Sequence, residues 1–201
     1  MRCQITNQRI SLMPRIADPE QRRAEVVDAA FRLLAREGVE SLSMRRVAKE
    51  AGCTIGLLNH WFASKDHLMD AALGRAASTA IERCTAILQN PDGTLEKLVA
   101  EFLPLDGTRT DELRVWLAFW ALSIGRPELK DLHRKRAHGI RQQLKGEARK
   151  MADTAPSLTL FVDVLMALLD GITVNALVDP EYWTPARQLR SLRWAIHGLV
   201  S

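Results

Sequence analysis

Several signals that assign a small protein to a class are missing from this chain. It has three cysteines, Cys3, Cys53 and Cys84, an odd number with no C-x-x-C pair. That argues against a disulfide framework and a cysteine-built zinc site, and the simple reading is a reducing cytoplasm. His133 and His138 are five apart and point to different faces of a helix, a poor metal pair, and H-E-x-x-H is absent. G-x-S-x-G, a phosphate-binding loop and G-x-G-x-x-G after a strand are absent too. Catalysis, a metal and a cofactor are therefore not expected. No opening stretch has the charged, apolar, small order of a signal peptide. The apolar run "VWLAFWALSIG" (Val115–Gly125) is too short to span a bilayer. No segment sustains a two-residue alternation with β-branched residues, so the expected fold is all-α.

What is present describes a globular protein with a substantial core: 47% of the 201 residues are hydrophobic and 26% charged. The net charge of +4 suits a polyanionic partner but does not establish one. Residues 1–18 lack periodicity and read as a flexible arm. A basic arm reaching DNA through Arg2, Arg9 and Arg15 is the alternative. "MPRIADPEQRR" from Met13 reads like a second, more natural start, which makes Met1–Leu12 an upstream extension.

Beyond the arm the period is helical. Val26, Val27, Ala30, Phe31 and Leu34 define a first helix over 20–37, stopped by Gly38. Ser43 caps a short helix over 44–51, ended by Gly52, and Thr54 caps another reaching about Phe62. Ser64 caps a long helix, with Asp66 in its first turn, running to about Gln89 where "NPDG" breaks it. Further helices are expected over 93–103, 110–125, 127–152, 157–178 and 184–200.

The stretch "SMRRVAKEAGCTIGLLNHWFASKDHL" from Ser43 holds two short helices on a tight turn, the outline of a helix-turn-helix. A major groove admits one helix, so the preceding one must turn sharply across it. Ala51 is small enough for close helix contact and Gly52 permits a left-handed turn. Thr54, Asn59 and His60 would face base edges and phosphates. Trp61 would lie on the sugar-phosphate strand, and Lys65 would sit at a helix N-terminus that suits a phosphate. Ser43, Arg45 and Arg46 would hold the flanking backbone. On spacing alone, a helical hairpin with solvated polar residues fits equally well.

The longer run "VVDAAFRLLAREGVESLSMRRVAKEAGCTIGLLNHWFASKDHLMDAAL" resembles the N-terminal domain of the TetR family of bacterial transcriptional regulators. The resemblance covers about fifty residues, including "F-x-S-K-D-x-L" at the start of the fourth helix. It implies a homodimer on a near-palindromic operator, and a C-terminal body that binds a small effector and releases DNA. By position it implies DNA contacts from Ser43, Arg45, Thr54, Ile55, Gly56, Asn59, His60, Trp61 and Lys65. Two departures stand out: Trp61 replaces the Tyr of many members, losing a hydroxyl contact, and Gly56 offers no side chain for base readout. The resulting division is an arm (1–18), a helix-turn-helix domain (19–66) and an effector-binding and dimerisation domain (67–201).

For dimerisation, "LFVDVLMALLDGITVNALV" is apolar round much of its circumference, and the last helix offers Leu189, Leu192, Ile196 and Leu199 or Val200. Burial within one subunit is the alternative. Five tryptophans against one tyrosine is a skewed aromatic set, and Trp116 and Trp120 share a helix face. They can cage a cation or fill a core, the commoner use of such rings. Acidic Glu101, Asp163 and Asp170 on apolar helices would be costly to bury unpaired; pairing, a pocket lining and solvent all remain open. Candidate effector contacts are Phe102, Trp116, Trp120, Asp163 and Asp170. The body also resembles, over a looser match, the C-terminal domain of regulators of choline-to-glycine-betaine genes, although related bodies serve different effectors. The nine basic residues between Arg126 and Lys150 read as a solvated outer face. The chain is thus expected to be a cytoplasmic, ligand-responsive repressor whose partners are double-stranded DNA, a second copy and an unknown small molecule. A dimeric helical adaptor and a repressor without an effector are the alternatives.

Overall fold

The computed structural model describes residues 18–151 and 157–200, and every regular element among them is helical. The expected arm over 1–17 lies outside them, while Asp18 belongs to the first helix as its cap. In order the helices are α1 (Pro19–Glu37), α2 (Met44–Glu50), α3 (Ile55–Trp61), α4 (Lys65–Gln89), α5 (Leu95–Ala100), α6 (Gly107–Gly125), α7 (Pro127–Met151), α8 (Leu158–Val178) and α9 (Pro185–Val200). A single 3-10 turn, Val39–Ser41, follows α1 and was not foreseen.

Local chemistry starts most of these helices. Ser43, Thr54, Ser64, Thr94 and Ser157 accept the backbone N–H three residues on, and Asp106 does the same for Arg109. The Asp106 cap explains why α6 begins at Gly107 rather than at 110: its bond to a free N–H outweighs the low helix propensity of Gly107 and Thr108. Between α2 and α3, Gly52 takes φ +63, and the Cys53 N–H closes back on the Ala48 carbonyl at 2.9 Å.

Two cores form. The first joins α1, α2, α3 and the start of α4 to Val115 and Phe119 of α6 and Leu129 of α7. The second lies among the end of α4, α5, α7, α8 and Leu192 of α9. The first core thus runs through the helix-turn-helix segment and the helices that follow it. Helix α8 is long and apolar enough to cross a bilayer, with a mean hydropathy of 1.8. Here Phe161, Val162, Leu165, Leu169 and Ile172 bury its inner side in the body. Its opposite side exposes Leu160, Val164, Ala167, Gly171, Val174 and Val178, spaced alternately four and three residues apart. The residues expected on α9 to meet a partner turn inward instead. Leu192 is buried, and Leu189 and Ile196 pack on the same core, leaving Trp194 80% exposed. The side chains of Leu199 and Val200 lie outside the described residues.

Candidate DNA-reading face and effector cavity

Helix α3 is held from below by Leu58, fully buried, and by Phe62 just past its end. Those anchors leave Thr54, Ile55, Gly56, Asn59 and His60 exposed together. A methyl at Gly56 would meet only the Thr54 hydroxyl, at 3.9 Å. The fold therefore tolerates a side chain there, and a bare backbone suits close approach by a partner. Trp61 is half-buried and packs on the head core, so only part of its ring can meet DNA. Ser43 and Thr54 spend their hydroxyls as caps, accepting at 3.2 Å from the Arg46 and Leu57 N–H groups. Arg45 is exposed, whereas Arg46 donates to Glu37 at 2.6 Å and, with Arg36, holds that carboxyl below its ordinary range.

Lys65 departs from the sequence expectation. Its ammonium donates to the Val39 carbonyl at 3.2 Å across the head and is half-buried there. It thus braces the 3-10 turn, with its other N–H groups left for a phosphate. Lys65→Met should lower head stability as well as operator affinity, and should reduce the salt slope of binding by about one. A titration over a salt series that returned the wild-type slope would leave Lys65 with only the bracing role.

The body holds a cavity of about 500 Å³, open on one side and lined by α4, the α5–α6 segment, α6, α7 and α8. Phe102, Trp116, Trp120 and Asp170 meet in its wall, brought from three different segments. Thr173 fixes one of them by donating to the Phe102 carbonyl at 3.0 Å. Asp163 does not join them. Seven residues bring it near Asp170 in angle but two turns away along α8, where it is exposed and accepts from Arg141 at 3.2 Å. Asp170 makes no hydrogen bond or ion pair among the described residues, and burial pushes its carboxyl up to about 6 against the pull of Arg141.

Sequence reasoning missed the α7 side of this wall. His133, Arg136, Ile140 and Leu144 come from α7, the helix read as a solvated basic face. The signal was the spacing of Leu129, Ala137, Leu144 and Ala148, buried residues sparse enough to be hidden among the charges. Burial, with Arg141, holds His133 below its ordinary value, so it is neutral at pH 7. Trp120 Nε1, His133 Nδ1 and Arg136 Nη1 are buried without a hydrogen-bond partner among the described residues. Glu101 and Glu112 also line the cavity, held by Arg83 at 2.6 Å each, with Arg109 on Glu101 at 3.0 Å. Burial, together with Glu101, pushes the Cys84 thiol up to about 11, so it stays protonated.

The wall touches the head directly. Trp116 and Trp120 pack against the first core, the one shared with α1, α2 and α3. Helix α4 runs unbroken from the loop after α3 to the far end of the body. It is tied to α1 by Arg75 on Asp28, to the α6–α7 junction by Arg126 on Asp66 at 2.6 Å, and to α7 by Arg136 on Asp70 at 2.7 Å.

Residues 26–72 match the bacterial regulatory proteins of the tetR family, and residues 91–201 match the C-terminal domain of BetI-type transcriptional repressors. The chain belongs to the TetR family. As a TetR-family protein it is a DNA-binding transcriptional regulator and not an enzyme. It is 28% identical over 174 residues to the HTH-type transcriptional regulator PksA of Bacillus subtilis, covering 84% of each chain. A transcriptional regulator from Rhodococcus sp. Rha1 superposes with a TM-score of 0.80 at 27% identity, over 90% of this chain and 95% of that one. The multidrug binding protein EbrR, solved with ethidium, superposes with a TM-score of 0.64 at 27% identity, over 87% and 98%.

Proposed function

We propose that this TetR-family protein is a homodimeric repressor that releases a near-palindromic operator when a small organic cation enters the body cavity. In this division residues 19–66 read DNA and 67–201 receive the effector and dimerise. The observation that carries the reading is that Trp116 and Trp120 are at once wall of the cavity and packing for the head core. A ligand that shifts these rings must repack what supports α1 and α4, and hence α3.

The wall's chemistry supports a cation. Asp170, a carboxylate with no ion pair among the described residues, lines the same cavity as Phe102, Trp116 and Trp120, whose ring faces can attract positive charge. EbrR binds ethidium, a flat aromatic cation, in the same fold. The exposed stripe on α8 and Trp194 on α9 support dimerisation, because an apolar side this long is costly to leave in water. By linkage, the effector must bind the DNA-free form more tightly than the bound one. In the DNA-bound dimer, Ser43, Arg45, Trp61 and Lys65 would hold the backbone while Thr54, Asn59 and His60 meet bases.

The test is selection of bound fragments from genomic DNA by the purified protein, followed by affinity measurement across a salt series. An enriched palindrome bound with a steep salt slope is expected. Asn59→Ala should then lose preference at one base step of each half-site, by about 1–3 kcal/mol, and keep its affinity for unrelated DNA. Selection that enriched no palindrome would defeat the repressor reading.

A further inference from the structure

We propose that Arg136 is the positioning residue through which the effector acts on the DNA-binding head. The inference rests on the cation reading above and adds how that site is regulated. Among the described residues, Arg136 is the one side chain that belongs to the cavity wall, to an aromatic face of that wall, and to an ion pair with α4.

Its guanidinium carbon lies 6.0 Å from the centre of the Trp116 ring, near the position an incoming cation would take. Through Nη2 it donates to Asp70 of α4 at 2.7 Å, while Nη1 is buried with no partner. Half of its fork is thus held and half is not. Asp70 stands about a turn and a half into α4, which three residues separate from the end of α3. Two arginines pair with acids in this part of α4: Arg126, at the junction of α6 and α7, lies away from the wall, and Arg136 of α7 is in it.

A cation seated on Trp116 repels the guanidinium in a region that water screens poorly. The free half of the fork offers nothing to resist that push, so Arg136 swings away and its hold on Asp70 is lost. The start of α4, and α3 with it, then keeps its apolar packing on Leu129 and the Arg126–Asp66 pair but loses its ion pair to α7. Linkage gives the device a recognisable signature. The charge that transmits the signal must also weaken cation binding in the DNA-competent form, so removing it should tighten effector binding while uncoupling it from DNA. A residue that only contacted the ligand would bind it less well when replaced. A residue that only supported the fold would lower stability without separating the two affinities.

The experiment uses the full-length protein with tetraphenylphosphonium, a cation that does not intercalate. Quenching of tryptophan fluorescence reports binding, and fluorescence anisotropy of the selected operator reports DNA affinity with and without the cation. For Arg136→Gln, which keeps a polar side chain near Asp70 without the charge, cation affinity should rise several-fold. The ratio of operator affinities without and with cation should fall towards one. Asp70→Asn should reduce that ratio in the same way, and it carries the test should Arg136→Gln fail to fold. Either variant releasing operator as completely as wild type, or Arg136→Gln binding the cation more weakly, overturns the inference. Absence of tetraphenylphosphonium binding to the wild-type protein overturns the cation reading first, and this one with it.

Discussion

Replacing Arg83 with alanine should lower stability by about 3–5 kcal/mol, the range found when a buried ion pair loses one partner. For a chain of this size that corresponds to a fall in melting temperature of roughly 6–20 °C. The reason lies in which carboxylates stay behind. Arg83 grips both oxygens of Glu112, at 3.0 and 2.6 Å, and one of Glu101 at 2.6 Å. Bonds to Glu112 first, and then Glu101, keep that guanidinium well above its ordinary value despite its burial. Without Arg83, Glu101 still has Arg109, but Glu112, with a side chain only 5% exposed, has no cation. Its charge must be neutralised or hydrated inside the body. Thermal and urea unfolding followed by circular dichroism would measure the loss. Adding Glu112→Leu to Arg83→Ala should recover most of it, because an apolar side chain of similar size needs no counterion. A single variant that lost less than about 1 kcal/mol would mean that water already reaches the pair.

The second large effect is expected at Asp170. Asp170→Asn should weaken binding of tetraphenylphosphonium by roughly ten- to hundredfold, since a charged partner is worth about 1.5–3 kcal/mol and each tenfold is 1.4. The wild-type protein should also bind the cation less tightly as the pH falls through about 6, where the Asp170 carboxyl takes up its proton. His133 acts in the same sense, gaining positive charge as the pH falls. Much of the pH dependence should therefore disappear in the Asn variant. Stability runs the other way. The folded-state value of Asp170 is raised above its ordinary 3.8, so its contribution to stability is full below that value and is lost as pH rises through about 6. Asp170→Asn should accordingly melt above wild type at pH 7.5 and converge with it near pH 4. Unchanged cation affinity in the variant, measured at pH 7.5, would remove Asp170 from the effector site.

The positions of the helices and of the turn in the head could be read along the chain. The signals are local: a hydroxyl or carboxylate that accepts the N–H three residues on, an apolar period, and a glycine able to take a positive φ at 52. Such interactions are complete within a few residues, so they can be read without knowing what lies across the fold. The family resemblance of the head was legible for the same reason, because its pattern is one continuous stretch.

Direction was not legible. Leu192 and Trp194 are two residues apart on α9, and one is buried while the other is 80% exposed, because α5 and α8 cover only one side of that helix. Asp163 and Asp170 look equivalent along the chain, yet only the second is enclosed by α4, α6 and α7. The Lys65 ammonium meets a carbonyl 26 residues away, and Arg136 an acid 66 residues away. Those partners depend on how helices cross, and crossing is settled by burial of the two shared cores as a whole. Only the tertiary structure could show that the basic helix α7 forms one wall of the cavity and grips the helix that carries the head.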